Sequence, residues 1–263
     1  MTIRLVASDL DGTLLGPDHR VAPRTVDVVN ALGDAGIVVA AVTGRSWFTG
    51  LEIATATGAR LDYFVGANGG HRINLATDEM EERLVFDAEE AEASVAALED
   101  RFPDIGLVTE HAEGQWHNPQ LMEQLPTSVG GRPRENSAEF RPDDIGKILM
   151  VRPDVSALDL IDQARAILPA SMNVTSSGFR FAEITPVGAD KGSALARLCA
   201  QLGIEQSEVI AFGDNHNDLS MLEWAGRGVA MGNAEAEVKA IADEVTAPHG
   251  DHGVAQVLET LLA

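Results

Sequence analysis

The chain has 263 residues, 45% of them hydrophobic, and a formal net charge of −22. That length buries a sizeable core, while so large an acidic excess argues against nucleic acid and anionic membrane as partners, since both require basic surface. A single cysteine, Cys199, excludes an internal disulfide and a cysteine-rich zinc site. No apolar run approaches the roughly 20 residues that span a bilayer. Asp9 and Asp11 interrupt the first apolar stretch early, so no signal peptide is expected and the cytoplasm is the expected compartment. Oligomeric state is not encoded in any pattern here, and a monomer suffices.

The run Ile3-Arg4-Leu5-Val6-Ala7-Ser8 predicts a buried strand that ends in Asp9-Leu10-Asp11-Gly12-Thr13. Alternation along an extended backbone puts Asp9 and Asp11 on the same side, and Gly12 lets the chain turn just beyond them. Two anions about 4 Å apart in a partly screened site repel by roughly 4 kcal/mol. A hard divalent cation with oxygen ligands would offset that. Asp-x-Asp-Gly also fits a plain surface turn. Its place at the tip of an apolar strand favours a site, because open α/β sheets bind ligands outside the carboxyl ends of their strands.

Val26, Val29 and Leu32 recur at helical spacing over residues 25–35, and Gly36 supplies a stop. A second apolar run, 37–42, ends in Thr43-Gly44-Arg45-Ser46; a helix is expected to follow through Ala56. The third run, 63–66, ends in Ala67-Asn68-Gly69-Gly70. Repeated strand–helix alternation predicts parallel strands with helical crossovers.

The pattern then changes. Asp87 reads as an N-cap with Glu90 three residues on, before a stripe of Ala88, Ala91, Val95, Leu98 and Phe102. Strands are expected at 105–109 and 147–151, and a helix after the cap candidate Asp154 carries Leu158, Ile161 and Leu168. Two further strands, 172–175 and 179–184, flank Ser176-Ser177-Gly178, a hairpin turn. Residues 110–143 match no regular element, and a loop or short helix is expected there. Helix, strands, helix and hairpin describe an α+β module inserted into the first domain. The boundaries expected are 1–81 with 186–263 for the core and 82–185 for the insertion.

Alternation resumes after Pro186. Asp190-Lys191-Gly192 opens a helix with Leu195, Leu198 and Leu202, stopped by Gly203. A fourth buried run, 209–212, ends in Gly213-Asp214-Asn215-His216-Asn217-Asp218, followed by a helix with Leu219, Met221 and Leu222. Short strands at 228–231 and 244–247 and a final helix over 253–262 complete the chain. In a parallel sheet the strand ends bring together Asp9, Asp11, Thr43 and Asp214, with Lys191 at a helix start. Carboxylates, a hydroxyl and an ammonium are the donors and acceptors that a Mg²⁺ ion and a phosphate require.

Asp9-Leu10-Asp11-Gly12-Thr13, Thr43-Gly44, Lys191 and Gly213-Asp214-Asn215-His216-Asn217-Asp218 resemble the four motifs of the haloacid dehalogenase superfamily phosphatases. The insertion after the third strand and Glu183-Ile184-Thr185-Pro186 before Lys191-Gly192 resemble its Cof-type branch, subfamily IIB. The resemblance implies an α/β fold, a doubly wound Rossmann-like parallel sheet with an inserted α+β cap that selects the substrate. It implies a hydrolase acting on a small phosphorylated metabolite, a sugar phosphate or related compound. Asp9 would be the nucleophile and Asp11 the general acid and base. Mg²⁺ would be held by the Asp9 carboxylate, the Asp11 main-chain carbonyl and Asp214, with Asn217 and Asp218 behind or in contact through water. Thr43, Gly44 and Lys191 would hold phosphoryl oxygens, and Arg45, Asn68 and Asn217 are further candidates for contact with substrate. In the insertion Arg180, His111, Trp116 and His117 are the most chemically capable residues.

Two other readings share these residues. A phosphomutase of the same fold would return phosphate to a sugar. A non-enzymatic phospho-acceptor module also uses acids, Thr and Lys on a doubly wound sheet, but leaves the insertion and Asp11 without a purpose.

Overall fold

The protein is described here by a computed structural model, covering residues 2–124, 128–129, 132–133, 140–176 and 180–262. The chain opens with β1 (Leu5–Ser8), every residue of which is buried, then α1 (Pro23–Asp34), β2 (Val38–Val42), α2 (Trp47–Thr55) and β3 (Tyr63–Gly66). Strands covered on both faces need no polar alternation, which is why they read as unbroken apolar runs. Two strands without such a pattern follow, β4 (His71–Asn74) and β5 (Glu79–Arg83). Charge holds this edge hairpin. Arg72, nearly buried, pairs with Glu81 at 3.3 Å and Glu82 at 3.1 Å, and Asn74 donates to Glu81.

The insertion begins with α3 (Ala88–Arg101), whose N-cap Asp87 accepts the Glu89 and Glu90 N–H groups. Next come β6 (Gly106–Glu110), β7 (Gln115–His117) and α4 (Pro119–Gln124), then the two-residue strands β8 (Ser128–Val129) and β9 (Arg132–Pro133). The 110–143 stretch therefore holds strands as well as the short helix. β7 is too short to show alternation, and its pairing with β6 follows from a turn closed by His111 N–H to Gly114 C=O. β10 (Lys147–Val151), α5 (Ala157–Arg165), β11 (Met172–Thr175) and β12 (Ala182–Pro186) complete the insertion. Ser156, not Asp154, caps α5; Asp154 sits at φ 55°, outside helical geometry. That start turns Leu160, Ile161 and Ala164 inward and leaves Leu158 64% exposed. Of the expected hairpin turn, Ser177 and Gly178 lie outside the described residues, while β11 and β12 pair antiparallel as such a turn requires.

The chain returns through α6 (Lys191–Leu202), closed by Gly203 in the left-handed region. It continues with β13 (Val209–Gly213), α7 (Leu219–Trp224), β14 (Arg227–Ala230), α8 (Ala236–Ile241), β15 (Glu244–Val245) and α9 (Gly253–Leu258). The last helix ends at Leu258 and tightens into a single turn, Glu259–Leu261.

Two units result: Met1–Glu82 with Gly188–Ala263, and Arg83–Val187. In the first, an eight-stranded sheet runs β15-β14-β13-β1-β2-β3-β4-β5, parallel from β15 to β3, with β4 reversed against β3. The chain winds outward from β1 through β2 and β3, then restarts at β13 on β1's other side. The reversal lies between β1 and β13, the place where a doubly wound sheet opens a crevice for ligand. The second unit is an antiparallel sheet in the order β11-β12-β10-β6-β7. Ala91, Val95 and Leu98 of α3 and Leu160 and Ile161 of α5 share one core with Ile148, Met150 and Ile184 of the strands. Leu98 is fully buried in that core. Its replacement by Ala is expected to cost about 2–5 kcal/mol, read as a lower urea midpoint for the insertion; an unchanged midpoint would contradict this packing.

Candidate active site

The register Ser8 to Phe212 brings the carboxyl ends of β1 and β13 level, and the Asp9 N–H donates to Phe212 C=O at 3.0 Å. Asp9 and Asp214 thus leave adjacent strands within one residue of the same height. Gly12 follows with φ 80°, and a β-carbon there would come within 2.8 Å of the Asp214 Cγ. The glycine is needed for the turn and for the approach of the second carboxylate. Thr13 Oγ1 donates to Asp214 Oδ1 at 2.8 Å, joining the two strand ends through a side chain.

Lys191, the first residue of α6, is placed by Asp190, whose Oδ1 accepts the Ser193 N–H at 2.9 Å. Its Nζ donates to Asp9 Oδ1 at 2.7 Å and Asp218 Oδ1 at 2.6 Å, and the side chain is wholly buried. Asp218 Oδ2 accepts the Asp214 and Asn215 N–H groups, each at 2.9 Å. At Gly213 any side chain would overlap the Asp218 carboxylate. Burial alone would lower the Lys191 ammonium's pKa, but Asp218 and Asp9 outweigh it and hold the group above its ordinary value. Burial pushes the Asp214 carboxyl up to about 6, with Asp218's charge adding to it and the Thr13 hydrogen bond opposing.

Asp9, Asp214 and Asp218 each offer an oxygen within 4.8 Å of the others, all three buried. One ammonium faces three carboxylates, so among the described residues negative charge remains that the cations there do not balance. An all-oxygen donor set of this size fits a hard divalent ion. Asp218 lies within the same cluster, but its two oxygens are taken by Lys191 and by the Asp214 and Asn215 N–H groups, which suits the place behind the metal expected of it.

Asp11 points elsewhere: Arg45 Nε approaches its Oδ2 at 2.5 Å and Nη2 its Oδ1 at 2.7 Å. Thr43 is buried at the end of β2, its Oγ1 accepting the Arg45 N–H at 3.2 Å, which leaves the hydroxyl proton to donate. Gly44 lies buried between them. Ala67 and Asn68, both at positive φ, donate their N–H groups to Arg45 C=O and Thr43 C=O. Asn217 Nδ2 donates to Asn68 Oδ1 at 2.9 Å, linking the loop after β13 to the turn after β3.

No sequence pattern singles out Asn233. Its Nδ2 donates to Gly12 C=O at 2.8 Å and reaches Asp214 Oδ2 at 3.3 Å, while its Oδ1 accepts the His249 N–H. Gly232-Asn233 looks like any turn; only the return of the chain beside Gly12 distinguishes it. In Lys191→Met two buried carboxylates lose their shared cation. The variant is expected to lose about 3–5 kcal/mol of stability, measured by denaturant unfolding at neutral pH, and an unchanged midpoint would contradict the ion pairs described.

A family profile described as haloacid dehalogenase-like hydrolase matches residues 6–258. The chain is 31% identical over 255 residues to an HMP-PP phosphatase of Serratia proteamaculans, covering 90% of this chain and 87% of the relative. It is 27% identical to a 5-amino-6-(5-phospho-D-ribitylamino)uracil phosphatase of Bacillus subtilis, with 97% and 94% covered. A solved haloalkanoate-superfamily phosphatase from Bacteroides thetaiotaomicron superposes with a TM-score of 0.83 at 24% identity, over 99% of this chain and 95% of that one, which shows the shared fold. The phospho-acceptor module is thereby set aside, and no helix among the described residues is long and apolar enough to cross a membrane. The chain belongs to the haloacid dehalogenase-like hydrolases, and the two sequence relatives named above are phosphatases.

Proposed function

We propose that the protein is a Mg²⁺-dependent phosphomonoester hydrolase that passes the phosphoryl group through Asp9 and acts on small phosphorylated metabolites, sugar phosphates or related compounds. The observation that carries this reading is the convergence of Asp9, Asp214 and Asp218 within 4.8 Å at the sheet's reversal. The names of the relatives, for HMP-PP and for a phosphoribitylamino-uracil, support a small metabolite as substrate. They also favour release to water over transfer to a sugar.

Asp9, Asp214 and the Asp11 main-chain carbonyl are the proposed Mg²⁺ ligands, with Asp218 beside them. The ion would neutralise phosphoryl oxygens and so remove the repulsion between two anions that must meet. Thr43 donates its hydroxyl proton to a phosphoryl oxygen, and the Gly44 amide and Lys191 contribute further contacts there. An Asp9 carboxylate oxygen attacks phosphorus in line, and the bond to the leaving oxygen breaks. Asp11 gives that oxygen a proton. In the second step Asp11 takes a proton from water as the water oxygen attacks phosphorus, the Asp9–phosphorus bond breaks, and inorganic phosphate leaves. The inserted unit is proposed as the part that selects the leaving group.

Asp9→Asn is expected to abolish phosphate release from a panel of phosphomonoesters while the circular dichroism spectrum stays that of the parent. EDTA is expected to stop the parent and excess Mg²⁺ to restore it. Turnover by Asp9→Asn at the parent rate, or hydrolysis that persists without metal, would overturn the reading.

A further inference from the structure

A proton donor for a leaving group must be aimed as well as present, because transfer needs a separation of roughly 2.6–3.2 Å. Asp11 lies one residue before Gly12, whose φ of 80° turns the chain away, and its side chain is 23% exposed. One partner takes both of its oxygens: Arg45, through Nε at 2.5 Å and Nη2 at 2.7 Å. Arg45 is in turn fixed at both ends of its own backbone. Its N–H donates to Thr43 Oγ1 at 3.2 Å, and its carbonyl accepts the Ala67 N–H at 2.8 Å. Ala67 holds φ 50°, a conformation that costs a non-glycine residue energy and persists only when its surroundings impose it. The guanidinium therefore stands on a braced loop.

We propose that Arg45 is a positioning residue that aims the Asp11 carboxyl at the leaving oxygen, and that this is its main contribution rather than holding the phosphoryl group. A planar fork fixes rotation of a carboxylate, which a point charge does not. Each carboxylate oxygen carries two lone-pair directions, so the fork leaves one on each oxygen for proton transfer. The inference rests on Asp11 as the acid and base of the proposed hydrolysis, and its test separates the two.

The test is steady-state kinetics on p-nitrophenyl phosphate, whose leaving group departs readily without a proton, and benzyl phosphate, whose alkoxide does not. Asp11→Asn, Arg45→Gln and Arg45→Lys are compared with the parent, with thermal melts to verify folding. The account expects Asp11→Asn to lose at least tenfold more kcat on benzyl phosphate than on p-nitrophenyl phosphate. Both Arg45 variants show the same bias in kcat, with KM for the two esters changed alike; Arg45→Lys keeps the charge but not the fork, so it is the variant to read if Arg45→Gln does not fold. Equal loss on both esters with a raised KM in the Arg45 variants, beside a biased Asp11→Asn, overturns the positioning role alone. An unbiased Asp11→Asn overturns the acid role of Asp11 and the inference with it.

Discussion

An ammonium group buried between two carboxylates is the constraint from which the rest of the site follows. Lys191 is wholly buried, with Asp9 at 2.7 Å and Asp218 at 2.6 Å. An uncompensated charge at such depth is costly, so Lys191 holds β1's end, the loop after β13 and the start of α6 in one arrangement. Gly213 and Gly12 permit that arrangement by leaving room for the Asp218 and Asp214 carboxylates. The Thr13 hydroxyl then ties Asp214 back to the loop after β1. The site sits at the reversal of a doubly wound sheet because there two neighbouring strands end side by side and their chains depart in opposite directions.

Both cations nearest the strand ends are engaged with acids of the protein itself: Lys191 with Asp9 and Asp218, Arg45 with Asp11. A phosphate dianion entering such a site meets hydroxyl and amide donors, the one Lys191 N–H not engaged by Asp9 and Asp218, and an excess of carboxylate. On electrostatic grounds alone, a divalent ion near Asp9 and Asp214 is the simplest means of bringing that anion to Asp9, the proposed nucleophile. The acidity of the chain as a whole, −22, sharpens this local requirement, because no general field draws phosphate inward.

Much of this was legible in the sequence where burial is total. β1, β2, β3 and β13 appear as unbroken apolar runs because both sheet faces are covered, and the tips of those runs name Asp9, Thr43 and Asp214. Caps and stops that act locally, Asp87 and Gly203, were equally readable. The edge hairpin β4–β5 was not, because Glu79-Met80-Glu81-Glu82-Arg83 is held by ion pairs to Arg72 and Arg197 rather than by an apolar stripe. Leu158 misled for a related reason: helical spacing does not say where the helix starts, and a start at Ser156 rotates it outward. Pairings between residues far apart in the chain, Arg45 with Asp11 and Asn233 with Gly12, leave no local pattern at all.

The proposed metal site takes up one divalent ion through Asp214, while the Asp11 side chain is turned aside to Arg45. Calorimetric titration of Mg²⁺ into the metal-free protein tests it most directly. The account predicts one ion per chain in the parent, binding lost in Asp214→Asn, and binding retained in Asp11→Asn. Binding of equal strength in parent and Asp214→Asn, or no binding in the parent, would contradict it.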